Sequence, residues 1–369
     1  MANGFVPYLL MNQMQVFKGA SPSQKITPPG YLKMLLANTK PNIVDSNVAD
    51  GSGHLRDIKI KYRPRVPKGV SSTTDDCSVQ AQPVYLEATV PSVNFRKYGF
   101  IIADATIAAY EKEASTSLAI GKPAPPNGII MELYKHMLEA ANGLLGDVND
   151  DLLTAQAAAF GKNVTTGLAT TKTINFPLAT TSNPLTQGLT MLMNDVMENE
   201  IRADNFIIVG SGLINAVYLQ QSLNTSNTKD ANYPGIVPPY YWDPATASKF
   251  GSNQFGVFEK NAVQLININK FAGFIGGDKF STFLFTLSLP LVDSLGGTEL
   301  QSFTFDVQLK YQDCPEEIDI AGTPTSVGRG WRLDLMCNYN QFNLPSDAYD
   351  SADRLTGNNG TLRYTATNS

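Results

Sequence analysis

NGIIMELYKHMLEAANGLLGDVNDDLLTAQAAA, Asn127 to Ala159, is the stretch on which the reading of this chain turns. Within it Ile130, Leu133, Tyr134, Met137, Leu138, Ala141, Leu144, Leu145 and Val148 recur at three- and four-residue spacing. That is one continuous apolar stripe along an amphipathic helix. Carried to Ala159 the helix spans roughly 45 Å at 1.5 Å per residue. Gly143 and Gly146 weaken it by up to about 1 kcal/mol each. His136, inside the helix, reads as a packing residue. Asp147-Val148-Asn149-Asp150-Asp151 starts like a calcium loop, but Leu152 stands where that loop needs glycine and Ala158 where it needs its closing acid. The segment therefore reads as an acidic solvent face.

Working outward, Pro123, Pro125 and Pro126 separate this helix from a shorter helical pattern at Ala103–Leu118, with Asp104 near its start. Further upstream Lys59, Lys61, Arg63 and Arg65 alternate with Ile58, Ile60, Tyr62 and Pro64. Period two puts the four cations on one face of a strand and the apolar set on the other. Successive cations stand roughly 6.6 Å apart and repel by about 0.6 kcal/mol per pair in water before screening. Three readings are open for this ladder: a solvated strand face, a contact with another subunit, or a nucleic-acid surface. A stacking platform has little support, because Tyr62 falls on the opposite face.

The ladder ends at Val66-Pro67, and a polar tip around Ser71–Asp76 leads to a return strand from Val84 through Leu86, Ala88 and Val90. A lone two-stranded hairpin is marginal in water, so this one is expected to lie on another surface. Residues 1–54 read as an irregular, extended arm. Pro22, Pro28, Pro29, Gly30 and Pro41 leave room only for a short helix at Tyr31–Ala37.

Downstream, a Thr-rich connector (Val164 to Thr181) precedes a helix capped by Asn183, with Pro184 in its first turn and Leu185, Leu189, Leu192, Met193 and Val196 as its buried stripe. Phe206–Val209 reads as a buried strand, and Gly210-Ser211-Gly212 turns it into a helix from Leu213 to Leu223. Residues 224–262 read as a polar, Pro- and Tyr-rich excursion. Strands are expected at Val263–Ile268, Phe283–Leu289 and Phe303–Tyr311. A last strand sets Trp331, Leu333, Leu335, Cys337 and Tyr339 on one face. The tail from Ser346 reads as polar, and no internal repeat is present.

Composition narrows the function classes. The 369 residues carry a formal net charge of -5, yet six of the 28 Lys and Arg fall between Arg56 and Lys68. Charged residues make up only 17%, below the roughly 25% of ordinary soluble domains. A neutral polar surface suits a protein packed against copies of itself. Three widely spaced cysteines (Cys77, Cys314, Cys337) read as reduced thiols, and two histidines make a His-rich metal site untenable. No apolar run reaches membrane-spanning length. The N-terminus lacks the pattern of a secretory signal, so the expectation is a chain made and used in a cytoplasm. The Phe206–Leu223 unit has Asn215 where a dinucleotide fingerprint needs its third glycine. Ser211 lacks a nucleophile elbow. No catalytic, cofactor or metal residues are assigned, and no enzyme activity is expected.

In order and length these pieces resemble the HK97-type major capsid protein of tailed double-stranded DNA bacteriophages. The segments that carry the resemblance are Leu55–Ile102, Ile129–Ala159, Leu185–Leu223 and Trp331–Leu344. It implies an α+β fold with an N-terminal arm (1–54), an extended E-loop hairpin (55–102), a peripheral domain with a spine helix (103–204), an axial domain (205–328), and a return to the peripheral domain with a C-terminal tail (329–369). The implied function is self-assembly into the icosahedral head shell around packaged DNA. Its partners would be further copies in hexamers and pentamers, a portal, and separate scaffolding or decoration proteins. The DNA would be enclosed without sequence-specific binding and without a membrane. The place would be the virion, assembled in the host bacterial cytoplasm. Lys59, Lys61, Arg63, Arg65 and Lys68 become the expected intersubunit contact of the E-loop. The type member's lysine–asparagine cross-link is not expected: Lys68 lies nearest the loop tip and no acceptor asparagine can be matched. The short arm implies a separate scaffold or an already mature chain. An encapsulin-like compartment shell, a phage tail or decoration protein, and an α/β enzyme with a pocket near Gly210–Gly212 are the alternatives.

Overall fold

The computed structural model describes residues 26–37, 43–47, 58–62, 86–90, 94–104, 108, 128–177, 184–201, 206–225, 238–269, 275–276, 282–289, 291–292, 300–312, 316–320, 323–327, 329–346 and 357–368. It is a mixed α+β structure. Helix α1 (Gly30–Ala37) is the short helix expected in the arm. It is no loose segment, however, because Tyr31, Leu32, Met34, Leu35 and Leu36 are all buried. A helix that is apolar on every side belongs inside a core. Strand β1 (Ile43–Asn47) also overturns the reading of residues 1–54 as irregular. β2 (Ile58–Tyr62) and β3 (Leu86–Val90) are the two arms of the hairpin. Asn94–Ile102 does not continue that loop but forms β4 (Asn94–Ala103), which joins a different sheet. Of the helix expected over 103–118, only Ala103, which ends β4, Asp104 and Ala108 lie among the described residues.

The long helix is present as α2 (Gly128–Ala159), whose 32 residues span about 48 Å. Met137, Ala141, Leu144, Leu145, Val148, Leu152 and Leu153 line its buried side. The Thr-rich connector contains a 3₁₀ turn (Val164–Thr166) and β5 (Thr171–Asn175). α3 (Pro184–Glu198) starts at the expected proline; its cap Asn183 is outside the described residues. The strand–turn–helix follows as β6 (Phe206–Gly210) and α4 (Leu213–Thr225). The excursion contains regular structure: β7 (Tyr240–Trp242), the single turn α5 (Thr246–Lys249) and the buried β8 (Gln254–Glu259). β9 (Val263–Ile268), β10 (Ile275–Gly276), β11 (Thr282–Leu289) and β12 (Phe303–Gln312) lead to the short ribbon of β13 (Glu316–Ile320) and β14 (Thr323–Val327). β15 (Gly330–Asn343) follows, and the tail read as polar ends in β16 (Thr361–Thr367), where Leu362, Tyr364 and Ala366 are buried.

Two compact units divide the chain. The first takes residues 1–28, 94–147 and 267–339. Its sheet runs β10-β11-β12-β15-β4, each neighbouring pair antiparallel. Phe303, Phe305, Val307 and Leu309 of β12 stand beside Leu333, Leu335, Cys337 and Tyr339 of β15 in the core, as their period-two spacing predicts. Asp306, which alternates with these apolar residues, is buried as well and accepts from Asn338 Nδ2 at 3.4 Å.

The second unit takes residues 29–93, 148–266 and 340–369. Its mixed sheet has the order β5-β16-β8-β6-β7, with β16/β5 and β6/β7 parallel and the other two pairs antiparallel. Leu189, Leu192 and Val196 of α3 and Ile214 and Val217 of α4 share one core with Phe255, Val257, Leu362 and Tyr364. β6, β7 and β8 hydrogen-bond into the sheet of β5 and β16, while β11 and β12 build on β15.

Candidate intersubunit surface

The cationic ladder is realised in part. β2 is the central strand of the three-stranded sheet β1-β2-β3, antiparallel on both sides. Ile60 is 1% and Tyr62 2% exposed, whereas Lys61 is half-buried. The two faces differ as the alternation requires. The Tyr62 ring lies 6.1 Å from that of Phe342, which gives the hairpin the supporting surface it needs. The strand pairing adds what periodicity could not show. Opposite Lys61 stand Asp45 on β1 and Glu87 on β3, while Lys59 stands opposite Asn47 and Thr89. Opposite charges across a pair contribute about 0.2–1 kcal/mol, so the register of Lys61 with Glu87 works against the repulsion within the ladder. Arg63, Arg65 and Lys68 lie outside the described residues.

A second surface was not singled out by the sequence. Among the described residues β4 is the last strand of its sheet, and all six residues from Asn94 to Gly99 are exposed. Phe95 is 54% and Tyr98 50% exposed. The strand is nevertheless held firmly along its paired side. The Asp334 carboxylate, on β15, accepts from Lys97 at 3.1 Å and from Arg332 Nε at 3.2 Å. Gly99 makes room for it, since a Cβ there would sit 2.3 Å from Asp334 Oδ1. His136 packs its ring 6.0 Å from that of Phe100 but remains largely exposed and faces Glu139 at 3.7 Å. It is the packing residue expected, but one that packs at the surface.

Buried polar groups in the second unit tie distant segments together. Asp195, 2% exposed, accepts from Asn163 Nδ2 and from Tyr364 Oη, each at 2.7 Å, and from Thr165 Oγ1, and it pairs with Lys172. Burial raises the Asp195 carboxyl, but these four donors outweigh it and hold the group below its ordinary pKa of 3.8. Burial first, and then Asp195 itself, push the Tyr364 hydroxyl well above 10. At the start of α1, Tyr31 N donates to Asp243 Oδ2 at 2.8 Å and Leu32 N to Asn149 Oδ1 at 2.9 Å. Asn149 Nδ2 in turn donates to Asp243 Oδ2 at 2.9 Å. Distant side chains thus satisfy the orphan amides of that helix. Asn149 belongs to this cluster, whereas Asp147 is solvent-facing as expected.

The glycines of the strand–turn–helix have packing reasons. A Cβ on Gly210 would lie 2.6 Å from Phe255 Cβ, and Gly212 adopts φ +64. Among the described residues no group of three His, Cys, Asp or Glu is placed to hold a metal, and no helix is long and apolar enough to cross a membrane.

No family model matches the chain, and no curated protein matches it. Among solved structures it is similar to the capsid structure of the cyanophage P-SCSP1u, at 11% identity and TM-score 0.40, covering 89% of this chain and 88% of that one. A structure from Mycobacterium phage Adephagia gives 9% identity and TM-score 0.42, covering 94% and 92%. The capsid asymmetric unit of cyanophage A-1(L) gives 10% identity and TM-score 0.41, covering 89% and 92%.

Proposed function

We propose that this chain is a shell subunit, the HK97-type major capsid protein of a tailed bacteriophage, which associates with copies of itself into an icosahedral head around double-stranded DNA. The observation that carries the proposal is β4. A ten-residue strand that ends its sheet among the described residues and leaves Phe95 and Tyr98 half exposed is the kind of edge that recruits another chain. Three features support the reading: the hairpin sheet before β4, the helix of about 48 Å after it, and polar centres that brace the fold. The unit built on β5, β6, β8 and β16 would be the axial body, and the unit built on β11, β12 and β15 the peripheral one. Lys59, Lys61, Arg63, Arg65 and Lys68 remain the proposed contact of the hairpin with a neighbouring subunit. Cohesion is the sum of many ordinary interfaces per subunit and needs no enzymatic step. The virion is then the place of action, with the portal and any scaffold as further partners.

Negative-stain electron microscopy of the purified protein, with any co-expressed scaffold supplied, tests this. Closed shells of uniform diameter are the expected result. Monodisperse small oligomers under all assembly conditions would refute it.

A further inference from the structure

The sheet of the first unit has two faces. Phe305, Val307 and Leu309 of β12 point into the core, so Gln308 and Lys310 stand on the other face. The register fixes what surrounds them there. Lys310 lies opposite Thr282 on β11 and opposite Arg332 on β15, while Gln308 lies opposite Asp334. Residues paired in this way share a face with Cβ atoms about 4.5–5.5 Å apart, and two cations so placed destabilise a sheet. Folding alone gives no reason to set Lys310 against Arg332. Arg332 gives its Nε to Asp334, which also takes Lys97. One carboxylate therefore answers two cations, and Lys310 is a third. Asp306, the other acid that these four strands put on this face, is buried and bonded to Asn338. Lys310 is exposed and has no ion pair among the described residues. Among the same residues the Thr282 hydroxyl and the Gln308 amide have no hydrogen-bond partner, and the Arg332 guanidinium is engaged through Nε alone.

We propose that this row binds phosphate groups of the DNA backbone enclosed by the shell. Thr282, Lys310 and Arg332 set a hydroxyl, an ammonium and a guanidinium side by side across about 10 Å of sheet, with the Gln308 amide next to them. That is the donor set that contacts phosphate oxygens without reading bases. A phosphate between Lys310 and Arg332 turns their repulsion into a shared attraction. An acidic segment of another protein is the competing occupant, but the rows of Lys310 and Gln308 offer no aromatic anchor of the kind on which protein interfaces are built. The contact rests on the shell-subunit reading and says which face of this unit is turned to the DNA.

Fluorescence anisotropy of a labelled mixed-sequence DNA duplex with the unassembled full chain, over a salt series, tests this. Wild type should bind with a dissociation constant on the order of 0.1 mM, the weak end of non-specific affinity. Lys310→Gln should weaken binding about eightfold at about 0.1 M salt, the factor one released counterion contributes at a slope of about 0.9 per contact. It should also lower the salt slope by about one, equally for every sequence. Lys310→Arg should keep both. Lys310 has no ion pair to lose, so Lys310→Gln should melt no lower than wild type. If it does melt lower, Thr282→Val takes its place, with weaker binding expected and unchanged binding overturning the site. A wild type that does not bind the duplex overturns it, as does a salt slope unchanged in Lys310→Gln. Polyglutamate that displaces the duplex more readily than unlabelled duplex does assigns the row to an acidic protein and overturns it as well. Micrographs of the wild type separate the two readings. Shells that form normally while Lys310→Gln binds duplex like wild type overturn only the phosphate contact. A chain that binds duplex through Lys310 yet never forms shells overturns the shell reading and leaves the contact standing.

Discussion

Replacing Asp195 by alanine removes the acceptor on which Asn163, Thr165, Lys172 and Tyr364 converge. Tyr364 is fully buried and Asn163 is 1% exposed. Each would lose a hydrogen bond without gaining water, at about 1–3 kcal/mol apiece. Lys172 keeps 28% of its side chain exposed, so it can turn to solvent and escape the full penalty of a stranded buried charge. The sum is about 2–6 kcal/mol, whereas Tyr364→Phe, which leaves Asp195 its other donors, costs about 1.5–3. Urea unfolding of the unassembled chain at pH 7, followed by circular dichroism, measures both.

The pH dependence adds a sign. The folded Asp195 carboxyl titrates below 3.8. Its contribution is therefore complete above the unfolded carboxylate value and is lost as pH falls through the folded one. The gap between wild type and Asp195→Ala should narrow below about pH 4. An alanine variant within about 0.5 kcal/mol of wild type at pH 7, the range of a neutral surface substitution, would refute the reasoning. So would a gap that stays constant down to pH 2.

Three further outcomes are expected. Lys59→Glu, at the ladder position whose cross-strand partners are neutral Asn47 and Thr89, should lower shell yield while the chain keeps its melting temperature. Unchanged yield in particle counts would reduce the ladder to a solvated face. Gly143→Ala and Gly146→Ala should each stabilise α2 by up to about 1 kcal/mol, because a Cβ at either position meets nothing within 4 Å. Gly30→Ala should destabilise instead, since its Cβ would fall 2.1 Å from the Trp242 carbonyl oxygen. Urea midpoints compare all three, and a destabilised Gly143→Ala would show that the open space is needed by another surface.

Where a segment announces its own burial, reading the sequence succeeded. α2, the start of α3, the step from β6 to α4, and the alternating strands β12 and β15 all lie where periodicity and a turn residue place them. The misses share a cause. β5, β8 and β16 are short and rich in Thr, Gly or Gln, so their strand character comes from neighbours distant in sequence. Thr365, for instance, lies between Thr173 on one side and Gln254 on the other. α1 looked like part of an arm because its flanks carry prolines; its burial depends on Asp243 and Asn149 capping it from far along the chain. The exposed edge at β4 escaped notice because its residues include Phe95, Tyr98 and Phe100, which a sequence pattern assigns to a core.

By itself, the sequence determined the helix of α2, the alternating faces of β2, β12 and β15, and a composition suited to self-association, because each of these depends on residues a few positions apart. Only the tertiary structure decided that α1 and β16 are core elements and that β6 and β11 belong to different units. It also decided that Lys61 stands in register between Asp45 and Glu87, that Asp195 gathers four donors, and that β4 ends its sheet among the described residues. These are outcomes of pairing between distant segments, and period and propensity carry no information about which distant segment arrives.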